Sequence, residues 1–313
     1  MGRLPPTMDF GKVSNVDRID FTLPPAGAAQ EKRSLAVLKA YRPGPARVRT
    51  GCPVWAQKEW LGKIYPLATR SSEYLYHYSR QFGMIELNLT HYTTPTFDTV
   101  DEWRKLTPPE FRFCPKWPQQ ISHHSALRDC GAEIKRFCDS LLRLEDRLGS
   151  SFLQLPPGFA PPQLPLLRDF LRILPKGFPI CVEFREPHWF RNHALIPEAL
   201  DLLEQARAGT VITDVAGRRD VAHVSLTVPR VLVRFIGNGL HPTDYTRLDA
   251  WMPRLKLWIE SGVRELDFCT HEPDNVLAPE LASAFVDRFN QAATGVTLRH
   301  WTPQNRGEQL GLF

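Results

Sequence analysis

Short apolar runs recur along this chain at regular intervals, with helix-length segments between them, and this alternation constrains the fold more than any single residue. The runs are ARVRTGCPVW, FGMIELNLTHY, FRFCPKW, SSFLQLPP, PICVEFRE, GTVITDVAG, RVLVRFIGN and ELDFCTHE. They read as buried strands. Segments such as SEYLYHYSRQF, CGAEIKRFCDSLLRLEDRLG, PEALDLLEQARA and TRLDAWMPRLKLWIESG place apolar residues three and four apart, as helices with one buried face do. About eight strands alternating with helices predict an α/β fold, a TIM-barrel-like (β/α)8 parallel barrel in one domain. An open doubly wound sheet is the alternative. No internal repeat points to a solenoid.

Composition agrees with a packed domain. The chain has 313 residues, 42% hydrophobic and 23% charged, and its 28 prolines fall mostly in short connections such as TPPEF and QLPPGFAPPQLP. Residues 1–28 have mixed polarity and no period, which predicts an extended arm. Residues 29–46 hold a lead-in helix over Gln30–Tyr41, ended by Pro43 and Pro45, and a Pro-rich linker. The barrel then occupies 47–293 and a tail 294–313.

The net charge of +5 permits an anionic ligand without demanding one, because the basic residues are spread along the chain. The six cysteines form no C-x-x-C pair. Cys114, Cys181 and Cys269 lie within apolar runs, so they are expected to be buried thiols in a reducing compartment. With no secretory h-region and no apolar stretch of roughly 18 residues, the expected location is the cytoplasm.

In a parallel barrel the chemistry sits where strands end at their C-terminal side, so polar residues late in each run are the informative ones. They are Glu86 and Asn88, with His91 and Tyr92 beyond; Lys116; Gln154; Glu183 and Arg185, with His188 and Trp189 beyond; Asp214; Arg234 and Asn238; His271 and Glu272. A single buried charge on a strand costs several kcal/mol, about what a partner must return. Several converging on one mouth would satisfy each other and form a polar pocket.

The same residues carry a resemblance. GCPVWAQKEWLGKIYP, FGMIELNLTHYTTP, Trp103 followed by TPPEFRFCPKWPQQISHH, then FLQLPPGF, VEFREPHWF, the Asp214 strand and VRFIGN occur in the order of the domain-of-unknown-function 72, or YecE-like, motifs. The chain resembles that family over roughly 47–290. The resemblance implies a TIM-barrel-like fold and a set of recurrent positions, and it supplies no reaction. Those positions are Trp55, Glu86, Asn88, Tyr92, Lys116, His123, Gln154, Glu183, Arg185, Trp189, Asp214 and Arg234. The chain departs from the family at CTHEPDN, where many members have an Asn-Asn pair, and at Ser122, where Thr is usual.

Three chemistries fit this constellation. In the first, Lys116, Arg185 and Arg234 hold phosphate, with Trp55, Tyr92 or Trp189 stacking on a base or sugar. Glu183, Glu86 and Asp214 are then the candidate catalytic carboxylates of a nuclease- or phosphodiesterase-type hydrolase, and Asn88, His123, Gln154 and His271 complete the binding set. In the second, Glu86 and Glu183 are a glycosidase pair, although the nearby cations oppose the raised pKa that a general acid needs. In the third, His91, His123, His188, His271, Asp214 and Glu272 hold a divalent metal. No H-x-H, H-x-x-x-H or H-E-x-x-H spacing supports it. A pocketed barrel that binds without turnover is also compatible with these residues.

The chain ends in QLGLF. Gln309, Leu310, Leu312 and Phe313 resemble the peptide by which bacterial replication and repair proteins dock on the DNA sliding clamp. Leu312 and Phe313 would fill an apolar cleft and Gln309 would orient the peptide. The alternative is that the apolar pair covers the barrel itself. A clamp partner would favour nucleic acid as the ligand.

Overall fold

The computed structural model describes residues 11–304, apart from 12, 14, 26 and 43. The peptide at Gln309, Leu310, Leu312 and Phe313 lies outside the described residues. Each of the eight apolar runs contains a strand: β1 (Arg47–Gly51), β2 (Met84–Leu87), β3 (Arg112–Pro115), β4 (Ser151–Gln154), β5 (Ile180–Glu183), β6 (Gly209–Asp214), β7 (Arg230–Ile236) and β8 (Glu265–His271). Nearly all of their residues are buried on both faces, which is why the runs are apolar throughout and do not alternate.

Helices fill the intervals. They are α1 (Ala28–Lys39), α2 (Tyr74–Gln81), α3 (Phe97–Leu106), α4 (Gly131–Leu142), α5 (Leu164–Arg172), α6 (Pro197–Ala206), α7 (Pro242–Glu260) and α8 (Ala278–Gln291). α7 starts at the sequence HPTD: Pro242 occupies the first turn, and the Asp244 carboxylate accepts from the His241 backbone N–H at 3.0 Å. The β6–β7 connection is the exception to the alternation. A 3₁₀ segment (Ala216–Val221) and an extended stretch replace a helix there.

Six strands form one parallel sheet in the order β1-β8-β7-β6-β5-β4, and β2 and β3 form a parallel pair. Sparse backbone hydrogen bonds join the two pieces on each side. Gly83 N–H donates to Thr50 at 3.1 Å beside β1, and Trp117 N–H donates to Phe152 at 3.0 Å beside β4. The result is a barrel-like α/β domain.

Met84, Cys114, Phe152, Cys181, Val211, Leu232 and Cys269 pack as one cluster, one residue from each strand β2 to β8. β1 contributes Gly51, whose missing side chain matters: a Cβ there would lie 1.9 Å from the Met84 carbonyl oxygen. Beneath this layer Arg49 pairs with buried Asp267 at 3.0 Å, and Ser150 Oγ donates to the same carboxylate at 3.3 Å. The cysteines at positions 52, 114, 130, 138, 181 and 269 are all buried and unpaired.

Candidate functional site at the C-terminal ends of the strands

Two residues above the apolar layer on strands β2 to β8, the side chains become polar, and most of them ionisable. The period of two carries Met84 to Glu86, Cys114 to Lys116, Phe152 to Gln154, Cys181 to Glu183 and Arg185, Val211 to Thr213, Leu232 to Arg234, and Cys269 to His271. Register sets Gln154 beside Glu183 and Thr213 beside Arg234.

Arg234 is the hub. Its Nε and Nη2 each donate to Glu86 at 2.9 Å, and its Nη1 donates to the two Glu183 oxygens at 3.3 and 3.2 Å. Glu86 also accepts from Asn88 Nδ2 at 3.0 Å and meets His271 Nε2 at 2.9 Å. Glu183 further accepts from Arg185 Nε and Thr213 Oγ1, both at 2.8 Å. Glu86, Glu183, Arg185 and Arg234 are all buried.

These contacts set the protonation states. Burial alone would raise the Glu86 carboxyl, but the Arg234 guanidinium and His271 hold it well below the usual carboxylate range. Burial also opposes ionisation of Glu183, yet Arg185, Arg234 and Lys116 push it down to about 2. Burial and the Arg234 charge push the Lys116 ammonium down to about 7, with Arg185 adding to the effect. Burial and the Lys116 charge push His91 and His123 down to about 4, so both are neutral at neutral pH.

The histidines close one side of the mouth. His91 Nδ1 donates to the Trp117 carbonyl at 2.9 Å. His123 meets Ser122 Oγ at 2.8 Å, and that hydroxyl donates to the Pro118 carbonyl at 3.0 Å. The Ser122 oxygen therefore accepts from His123 Nδ1, leaving Nε2 buried without a partner among the described residues. The rings of His91 and His123 stand edge to face at 5.3 Å. Beside them, exposed Tyr92 and Phe97, with Pro118, Gln119 and His124, line a cleft of about 630 Å³. A larger cleft of about 1040 Å³ lies at the opposite end of the strands, around Arg47, Gly83, Phe111 and Trp301.

Several predicted residues are elsewhere. Asp214 is not in the mouth. Thr213 takes the inward position, so Asp214 turns outward to α7, where it accepts from Trp251 Nε1 at 2.8 Å and pairs with Arg247 and Arg219. Trp189 is buried in the apolar core between Phe184 and Phe159, its Nε1 donating to the Phe159 carbonyl at 2.5 Å. No face of it is open to stack on a ligand. Trp55 packs edge-on against Trp103 at 5.8 Å.

The six-residue metal set is not brought together. His188 is exposed and paired with Glu186, Asp214 faces α7, and Glu272 accepts the N–H groups of Gly239 and Leu240 at 2.6 and 3.3 Å. Burial pushes that Glu272 carboxyl up to about 7 despite the two amides. Among the described residues Glu86, Cys269 and His271 have donor atoms close enough to share an ion. Arg234 already occupies both Glu86 oxygens, and burial beside Glu86 holds the Cys269 thiol protonated, so the donor set fits a metal poorly.

Sequence reasoning missed Thr213, which supports Glu183. The signal was available, because counting two residues from Val211 along β6 selects Thr213 and not the more conspicuous Asp214.

The comparisons with known proteins agree with one another. The family described as "Protein of unknown function DUF72" matches residues 49–307. The UPF0759 protein YecE of Escherichia coli K12 is 33% identical over 249 residues, 74% of this chain and 88% of that protein. Crystal structures of DUF72 family proteins share the fold. One from Thermotoga maritima MSB8 has a TM-score of 0.59 at 22% identity, covering 76% of this chain and 97% of its own. One from Enterococcus faecalis V583 has a TM-score of 0.59 at 20% identity, covering 78% and 98%. The chain belongs to the DUF72, or YecE-like, family.

Proposed function

We propose that the mouth binds a phosphate-bearing ligand, a nucleotide or a nucleic acid, within a ring of eight strands read as a TIM-barrel-like (β/α)8 unit. The observation that carries this reading is a charge imbalance. Arg185 and Arg234 are paired with Glu183 and Glu86, which leaves the Lys116 cation uncompensated in a buried cluster. Burial first, and the positive potential of the cluster after it, depress the pKa of Lys116, His91 and His123, and an anion entering the mouth would offset that potential. The exposed rings of Tyr92 and Phe97 in the adjoining cleft suit stacking on bases.

Both carboxylates are held ionised and are committed to guanidinium partners, which suits holding a cationic mouth around an anion better than base catalysis, so the nuclease- or phosphodiesterase-type hydrolase reading is the secondary one. A glycosidase would need one of them protonated. A link to DNA repair rests on the terminal QLGLF peptide, through which we propose docking on a sliding clamp.

Calorimetric titration with sulfate, a mononucleotide and a single-stranded oligonucleotide tests the reading. Binding that Lys116→Met abolishes is expected. Equal affinity in wild type and Lys116→Met would overturn it. For the tail, anisotropy of a labelled peptide spanning 305–313 against a bacterial clamp should show binding that Leu312→Ala/Phe313→Ala removes.

A further inference from the structure

We infer that Lys116 is an amine nucleophile, poised to form an iminium adduct with an aldehyde or ketone that enters the mouth. The backbone around it is pinned. Lys116 N–H donates to the Leu87 carbonyl at 3.1 Å, and its own carbonyl accepts from Thr90 Oγ1 at 2.7 Å. Its side chain rises from β3 into the charged layer, partly open to solvent. Among the described residues, no hydrogen bond or ion pair takes its Nζ.

Lys116 has no anion to itself although two carboxylates are near. Glu86 is saturated by Arg234, Asn88 and His271, and Glu183 is shared among Arg185, Arg234 and Thr213. The charged groups acting on it are two guanidinium ions and two carboxylates already paired to them, and the neutral His91 and His123 feel its charge in turn. A partly desolvated amine beside other cations loses its proton more readily than a free one, and a deprotonated amine adds to carbonyl groups. A structural lysine would be expected to sit in an ion pair, as Arg234 and Arg185 do.

The step balances without an oxidant or a cofactor. Neutral Nζ attacks the carbonyl carbon and a C–N bond forms. The π pair moves to oxygen, which takes up the proton released by nitrogen. The carbinolamine then loses its hydroxyl as water, with one proton from solvent, and a C=N⁺ iminium remains. The ligand class is a small carbonyl compound, and where it also carries phosphate it satisfies the anion reading of the same pocket. The inference rests on that pocket admitting a ligand, but it does not rest on phosphate.

The test uses the full chain and a neutral probe, glycolaldehyde, at pH 7, followed by sodium borohydride and peptide mapping by mass spectrometry. Borohydride delivers hydride to the iminium carbon and fixes the adduct as a secondary amine. Lys116 should be labelled at least about tenfold faster than Lys135, which is 76% exposed on α4. Lys116→Arg, which keeps the charge, should remove the fast adduct while other lysines label as before. Labelling of Lys116 no faster than Lys135 in the wild-type protein would overturn the inference, whether or not the variant folds. Sulfate titration without any aldehyde keeps the two readings apart. Fast labelling with no sulfate binding would sink the anion reading alone, and sulfate binding with slow labelling would sink this one alone.

Discussion

The Arg234 guanidinium meets Glu86 edge-on, with Nε and Nη2 each 2.9 Å from a carboxylate oxygen. Both side chains are buried, so neither could find water if the other were removed. Glu86→Gln should destabilise the fold by about 3–5 kcal/mol in urea denaturation. Glu86→Gln/Arg234→Met should cost less than the sum of the two single changes, because it removes the orphaned charge as well. A loss below about 1 kcal/mol for Glu86→Gln would mean the hub is open to solvent.

Lys116 gives a pH dependence with a definite sign. Its folded pKa of about 7 lies below the unfolded value of about 10.4, so between those values the unfolded chain holds a proton that the folded chain does not. Stability from this group therefore rises with pH across that window, and below pH 7 the charged amine is a full penalty. Lys116→Met should stabilise the protein at pH 7 by on the order of 1–2 kcal/mol, an advantage that shrinks toward pH 10. Denaturation curves at pH 7 and pH 10 would check it, and an equal gain at both would contradict the shift.

Asp214 is expected to matter for stability and not for ligands. It accepts from Trp251 and pairs with Arg247 on the helix side of β6. Asp214→Asn should lower stability by about 2–4 kcal/mol while sulfate affinity at the mouth is unchanged. A folded Asp214→Asn protein that lost sulfate binding would return Asp214 to the site.

At Gly51 the constraint is steric. A Cβ would lie 1.9 Å from the Met84 carbonyl and 2.9 Å from Tyr78 Oη, the hydroxyl that also donates to that carbonyl at 3.0 Å. Gly51→Ala must push β1 and β2 apart where their contact is already sparse. A loss of about 3 kcal/mol or more, or failure to fold, is expected from thermal unfolding, since a backbone carbonyl cannot rotate aside as a side chain can.

The sequence alone determined the eight strands and most of the helices, because burial on two faces or one leaves a pattern that needs no tertiary information. Residues Glu86, Lys116, Glu183, Arg185, Arg234 and His271 were legible as one group for the same reason: each interrupts an apolar run near its C-terminal end. The break in the alternation between β6 and β7 was not legible, and neither was the division into six strands and a pair. Both depend on which strands reach each other, and that is a property of the assembled domain. Inward or outward direction at strand ends also waited for the structure. Asp214 and Thr213 are adjacent in sequence, and a one-residue difference in register exchanges the mouth for α7. Trp189 follows the same logic: an aromatic after a strand can stack on a ligand or fill the core, and only Phe159 and Phe184 arriving from elsewhere decided for the core. Residue type and spacing specify which groups reach the mouth, but pairing is three-dimensional. That Arg234 takes both Glu86 and Glu183 and leaves Lys116 alone was decided by distances across the mouth.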